Sequence, residues 1–297
     1  MNDVIIIGGS FAGLAAALQL GRARRKVTVL DTDLPRNRFA GHSHGLLGHD
    51  HKPPLDILAE SRLQLARYPA ISLVKARAEG IFGTIDDFSV LTADGMRLGA
   101  RRLILSYGVV DQVPDVPGFA ECWGKSVVPC PYCDGFEVAG QHWGLVWSGT
   151  QSHNQARLFL DWTDRLTVIA DGHDIPPDIR VDLEHRNISV VDGRMVEIAH
   201  HGGHITTVNL DTGSKLAVDI LFAHPQNRPS ANLHESLGLT TVETPAGITL
   251  KVDERRQTSV PGIYAAGDLT TPFLPSVTQA TSQGAMAGIF AQQSMLA

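Results

Sequence analysis

Cysteine is scarce in this 297-residue chain, with Cys122, Cys130 and Cys133 the whole supply. Three thiols cannot build the framework of a small secreted disulfide protein, so a spaced pair points to reactive or metal-bound sulfur in a reducing compartment. Excess positive charge is missing too. Twenty-five Lys and Arg stand against 31 Asp and Glu, a formal charge of -6, which provides no cation cluster for a nucleic-acid partner. No apolar run approaches the roughly 18 residues that span a bilayer. "MNDVIII" reaches apolar residues without a basic leader, so the expectation is a cytoplasmic protein with no membrane partner. At 43% hydrophobic and 19% charged residues, the composition is globular and the length allows two domains.

The opening stretch, "DVIIIGGSFAGLAAALQLGRARRKVTVLD", is rich in pattern. "DVIII" reads as a buried parallel strand, "GGSFAG" as a tight turn, "LAAALQLG" as a helix and "KVTVLD" as a second strand ending in an acid. A dinucleotide fingerprint needs this βαβ context. Gly8 would make the turn, and Gly13 would let the helix pack closely on the strand. The helix N-terminus would face a pyrophosphate, because its unpaired N–H groups and dipole favour anions. Asp31 lies 18 residues beyond Gly13, near the spacing of an acid that holds an adenosine ribose. Ser10 stands where the motif has its second glycine, and Gly9 beside it is expected to give the clearance. The motif alone does not separate FAD from a nicotinamide dinucleotide.

"CPYCDG" at 130–135 admits a metal clamp, a structural staple or an electron relay. A closed zinc site needs four ligands, and only Cys122 remains as a further thiolate. Histidines would have to complete the set, and the tract "GHSHGLLGHDH" at 41–51 supplies candidates. For a relay, one thiol of a C-x-x-C turn at a helix start is lowered in pKa by nearby N–H groups and by its neighbour, while the other waits to close the disulfide.

Further along, "TSVPGIYAAGDLTT" at 258–271 resembles the second FAD motif of two-dinucleotide-domain flavoproteins, with Gly267 and Asp268 at the ribityl-contacting positions. "SVTQATSQGAMAGIF" follows as a small-residue helix, and its start at Ser276 and Val277 would face the flavin's pyrimidine oxygen. Ser106-Tyr107-Gly108 replaces the strand-ending "ATG" triplet of such proteins. With the turn at 8–13, the C-x-x-C-D at 130–134 and "GIYAAGD" at 262–268 in family order, the chain resembles the low-molecular-weight thioredoxin reductase family over almost its whole length.

The resemblance implies an α/β fold of two doubly wound dinucleotide-binding-type domains, the second inserted into the first. Residues 1–116 and 246–297 would form the FAD-binding domain, and 117–245 the central NAD(P)H-type domain with the C-x-x-C. It implies a homodimer and an FAD-dependent thiol–disulfide oxidoreductase. Cys133 would lie near the flavin, Cys130 would exchange with the outside, and Asp134 would shuttle the proton. The cofactor set would be Gly8, Gly9, Ser10, Gly13, Asp31, Arg38, His42, Gly108, Gly267, Asp268, Ser276 and Val277. A subgroup of these flavoproteins carries a histidine segment after an Arg-Asn pair, matched here by Arg36, Asn37, His42, His44, Asp50 and Pro53-Pro54. That favours a flavin-side loop over a metal site.

The resemblance breaks at the nicotinamide fingerprint. Trp147-Ser148-Gly149-Thr150-Gln151-Ser152 keeps only the middle glycine, and a Trp replaces the residue that should make the tight turn. Ala170-Asp171-Gly172-His173 stands where paired arginines would read a 2′-phosphate. Weak or absent NADPH use is the expectation, with a ferredoxin or another flavoprotein as donor and a thioredoxin-like protein or small dithiol or disulfide as substrate. Three alternatives stay open: a dithiol oxidase that passes electrons to oxygen, an ordinary NADPH-thioredoxin reductase, and a flavin-binding module without catalysis. "QQSMLA" at the end carries no thiol pair, which argues against the larger reductase class. Cys122 reads as a small buried hydrophobe.

Overall fold

The computed structural model describes residues 1–271 and 273–296. Along the chain the first elements are β1 (Asn2–Ile7), α1 (Phe11–Arg22), β2 (Val27–Asp31), α2 (Pro54–Leu65), β3 (Ile71–Lys75), β4 (Ala78–Thr84), β5 (Asp87–Thr92), β6 (Arg97–Leu105) and β7 (Val109–Asp111). Then come α3 (Phe119–Cys122), β8 (Val127–Val128), α4 (Pro131–Asp134), β9 (Trp143–Val146), α5 (Gln151–Phe159), β10 (Leu166–Ile169), α6 (Pro177–His185) and β11 (Ser189–Val191). β12 (Met195–His201), β13 (His204–Leu210), β14 (Lys215–Leu216), β15 (Ile220–Phe222) and β16 (Asn227–Pro229) follow. The chain closes with α7 (Leu233–Ser236), β17 (Thr241–Thr244), β18 (Gly247–Leu250), β19 (Ile263–Ala265) and α8 (Val277–Gln293).

Two compact units emerge. The first takes Met1–Arg38, Leu46–Asp111 and the described residues from Gln226 onward. Its parallel strands run β3-β2-β1-β6-β19, and β4 and β5 extend β6 as an antiparallel meander. Both faces of β1 are buried, which is why its central residues form an unbroken apolar run rather than an alternating one. On one face, α1 and α8 pack backbone to backbone. A Cβ on Gly284 would lie 2.0 Å from the Ala12 carbonyl oxygen, and one on Gly288 would lie 2.7 Å from that of Ala16. Those small residues are what allow the approach. A second sheet, β17-β18-β16-β7, completes this unit.

The second unit takes Phe39–Gly45 and Gln112–Pro225. Its parallel sheet runs β11-β10-β9-β15-β8, with β12-β13-β14 as an antiparallel sheet beside it. Trp143, Phe159 and Phe222 fill the core, with Trp143 and Phe222 rings 4.6 Å apart. The fold is therefore α/β with two doubly wound units, the second inserted into the first.

The division differs from the sequence expectation in three places, the smallest being 112–116, which lie with the second unit rather than the first. Residues 226–245 lie with the first unit, because β16 hydrogen-bonds to β7 and β18 there. The segment 39–45 lies with the second unit, although its neighbours on both sides belong to the first. Among the described residues no helix is long and apolar enough to cross a membrane.

Candidate active site

In the first unit the glycine turn sits at the C-terminal ends of β1, β2 and β6, where open parallel sheets bind ligands. Gly8 has φ +107, and a Cβ on it would fall 2.2 Å from the Ser106 carbonyl oxygen. Only glycine fits both the conformation and the space. A Cβ on Gly13 would lie 1.8 Å from the Gly8 carbonyl oxygen, so the first turn of α1 rests directly on the loop. Ser10 takes an extended conformation as the N-cap of α1. Clearance toward Asp31 comes from Gly9, whose Cβ would meet the Asp31 carboxylate at 2.9 Å.

Arginines hold the acids of this unit. Asp31 accepts from Thr32 N–H and from Arg62 Nη2, both at 2.9 Å. Asp268 accepts from Arg36 Nη1 at 2.8 Å, while Asp111 takes Nε and Nη2 of the same guanidinium. Burial opposes the Arg36 charge, but the bonds to Asp111 and the field of both carboxylates outweigh it and push its pKa up. Gly267, with φ +77, packs on Ala12 and donates its N–H to Gln283 Oε1 of α8 at 3.0 Å. Ser276 caps α8 by accepting the Gln279 N–H, which leaves Val277 as its first residue. Gly108 has φ +68 with open space around it. Arg38 donates to the Pro35 carbonyl oxygen at 2.9 Å.

This set fits a flavin dinucleotide. Glycines clear the space where α1 begins, Asp31 and Asp268 offer fixed carboxylates to hydroxyls, and α8 presents a capped N-terminus. The Arg36 tie to Asp268 was not legible in the sequence, where Arg36 registered only as part of the histidine-segment pattern.

In the second unit the cysteines sit on one turn of helix. Cys130 is the extended N-cap of α4 with Pro131 at the first helical position, a preferred place for proline. Gly135 closes the turn: its N–H donates to the Pro131 carbonyl oxygen at 2.7 Å, and a Cβ there would press on Trp143 and Trp162. Tyr132 packs edge-on against Trp162 at 5.5 Å. The cysteine turn is thus anchored on the aromatic core.

Cys130 and Cys133 are both thiols and half-buried. The Cys130 pKa is lowered by a hydrogen bond from the Cys133 thiol, against its own burial, with help from the backbone N–H groups of Cys133 and Tyr132. Burial pushes the Asp134 carboxyl up to about 6, opposed by the field of His44 and reinforced by Glu137. Cys122 is fully buried, and burial raises its thiol. His42 falls in the 39–45 segment that belongs to this unit and stacks on His44 with ring centroids 6.4 Å apart.

The nicotinamide-type turn spends one of its backbone donors on its own side chain. Trp147 is 3% exposed and belongs to the core. The Ser148 N–H donates to Ser152 Oγ at 3.0 Å, so that donor is spent inside the turn. Gly149, at φ +132, has open space around it. Asp171 has φ +48, and its Oδ1 accepts the Met195 N–H at 2.8 Å. The sequence shows Asp171 only as a charge in the wrong place for a phosphate. The structure uses it to start β12.

Two nucleotide-type units and a helix-capped thiol pair define the class of disulfide oxidoreductases. The family model of the pyridine nucleotide-disulphide oxidoreductases matches residues 2–284, and the chain belongs to that family. It is 30% identical to the thioredoxin reductase tcpT of Claviceps purpurea (strain 20.1), covering 99% of this chain and 94% of the relative. The crystal structure of an oxidoreductase from Agrobacterium tumefaciens superposes with a TM-score of 0.94 at 41% identity, covering 99% of this chain and 98% of that one. The crystal structure of the putative thioredoxin reductase TrxB from Bacillus anthracis gives 0.91 at 28% identity, covering 99% of this chain and 98% of that one. The protein is a thioredoxin reductase-like, flavin-dependent disulfide oxidoreductase with FAD as the cofactor of its family.

Proposed function

We propose that Cys130 and Cys133 carry electrons between FAD and an outside disulfide or dithiol, and that NADPH is a poor donor or none. The observation that carries this reading is the lowered Cys130 thiol, paired with Cys133 and followed by a carboxyl whose pKa is about 6. FAD, when bound, supplies the two-electron acceptor and donor that no side chain can replace. Gly8, Gly9, Ser10, Gly13, Asp31, Arg38, Gly108, Gly267, Asp268, Ser276 and Val277 are the residues proposed to hold it. His42 is proposed with them on the resemblance of its histidine segment.

In the reducing direction the Cys130 thiolate attacks one sulfur of the outside disulfide. A bond to Cys130 forms as the outside S–S bond breaks, and the leaving sulfur takes the Asp134 proton. Cys133 then gives its proton to Asp134 and attacks the Cys130 sulfur. That closes the pair and releases the second outside sulfur as a thiolate, so two electrons have left the protein. The weak use of NADPH is supported by buried Trp147, by the Ser148–Ser152 bond and by the lack of arginine at 171–173. It calls for another donor, a ferredoxin or a flavoprotein. A thioredoxin-like protein or a small disulfide is the proposed exchange partner, and a cytoplasmic homodimer is the proposed form.

Photoreduction of the bound flavin, in protein whose pair has first been oxidised, tests the relay. Both thiols should become titratable as electrons enter. Full flavin reduction with an unchanged thiol count would refute it.

A further inference from the structure

The Gly267–Thr271 turn is held by side chains outside the set proposed to hold the flavin. Gln283, on α8, is their hub. Its Oε1 accepts the Gly267 N–H at 3.0 Å and Arg256 Nη2 at 2.9 Å, and its Nε2 donates to Thr271 Oγ1 at 3.0 Å. Arg256 Nη2 also donates to Thr270 Oγ1. Each hydroxyl has one proton to give, and both can give it to the Gly267 carbonyl oxygen, Thr271 at 2.9 Å and Thr270 at 3.1 Å. With that assignment each of these donors is used once. The N–H and C=O of Gly267, whose φ is +77, are both fixed by side chains.

Arg256 is a costly residue for this place. It lies beside β19, where its carbonyl oxygen accepts the Ala265 N–H at 2.9 Å. Its own backbone is left-handed, with φ +64, a conformation that suits glycine best. Nη2 is spent on neutral oxygens, and Nε is buried with no acceptor among the described residues. What the long side chain reaches is the turn.

We propose that Arg256 is a positioning residue of the flavin site: with one nitrogen it ties Thr270 to Gln283, and Gln283 sets the Gly267 peptide, with Asp268 next to it, against the start of α1. The turn meets α1 closely, since a Cβ on Gly267 would lie 3.0 Å from that of Ala12, while Arg36 holds Asp268 by its carboxylate. The inference rests on the reading of Gly267 and Asp268 as flavin contacts. A turn already held in its binding shape loses little freedom when the ligand enters, so loosening it shows as faster ligand loss.

Release of FAD from the diluted holoprotein, followed by the rise in flavin fluorescence, tests this without turnover. Arg256→Met and Gln283→Leu should each speed release at least about tenfold. Because the two residues act as one unit, the double variant should be no more than about twofold faster than the faster single one. Both bonds leave Arg256 from one nitrogen, so an ammonium can make them, and Arg256→Lys should stay within about threefold of the parent. Circular dichroism checks that each variant is folded. If Arg256→Met does not fold, Gln283→Leu against Arg256→Lys carries the test. Parent-like release in Arg256→Met or Gln283→Leu, effects that multiply in the double variant, or a Lys variant as leaky as the Met one would overturn the proposal. Such a failure leaves the flavin site itself standing. That site would be refuted instead by a Gly13→Val protein that keeps its full flavin.

Discussion

Gly13→Val protein is expected to purify with at least tenfold less flavin per chain than the parent. The first methyl-sized atom of any side chain at this position would lie 1.8 Å from the Gly8 carbonyl oxygen and 2.9 Å from Ser106 Oγ. The loop has little room to yield, because even a Cβ on Gly8 would lie 2.2 Å from the Ser106 carbonyl oxygen. Either α1 must lift or the turn must open, and both destroy the geometry of the helix N-terminus that would face a pyrophosphate. Overpacking of this kind costs about 1–3 kcal/mol and more where backbone must move, and about 1.4 kcal/mol already corresponds to tenfold in binding. The ratio of visible to protein absorbance after purification measures it. Gly41→Ala, which meets no atom within 4 Å, should keep full flavin, whereas a fully flavinated Gly13→Val protein would place the cofactor elsewhere.

The second large effect concerns the thiols. Cys130→Ser and Cys133→Ser should each lower disulfide exchange by at least about a thousandfold, since each removes a bond-forming atom rather than a contact. Flavin content should be unchanged. The two variants should differ in a way that assigns their roles. Cys133→Ser leaves Cys130 without its resolving thiol, so a mixed disulfide with substrate should accumulate and be seen by mass spectrometry. It also replaces the thiol whose hydrogen bond lowers the Cys130 pKa, so alkylation of Cys130 should slow at neutral pH. Cys130→Ser should trap nothing. Turnover at the parent rate in Cys133→Ser would remove it from the electron path.

How far the sequence could be read depended on the range of the interaction behind each feature. The first βαβ unit was legible because it is local: an apolar strand, a glycine turn and an Ala/Leu-rich helix follow one another within thirty residues, and β1, α1 and β2 fall there. The second crossing between units was not. "ETPAG" looks like a hinge, but the pairing of β16 with β7 across more than a hundred residues draws 226–245 into the first unit. Asp171 failed for the same reason, since its partner, the Met195 N–H, lies 24 residues away. In the histidine tract His42 and His44 matched a flavin-side segment, with no contact to the cysteines implied. Only the folded loop reveals that His44 meets Cys133 and Glu137, and nothing local marks Glu137 as its partner. The cysteine turn itself was readable as a redox motif, while the His44 contact to it from the 39–45 loop was not.

Anaerobic titration of the oxidised holoprotein, followed in the visible flavin band, tests the central claim most directly. Dithiothreitol should bleach the flavin through the Cys130/Cys133 pair, and excess NADPH should leave it oxidised, because a core Trp147 replaces the turn glycine, the Ser148 N–H is spent on Ser152 Oγ and the sequence has no arginine pair at 171–173. Rapid bleaching by micromolar NADPH would contradict the account and make the protein an ordinary NADPH-dependent reductase.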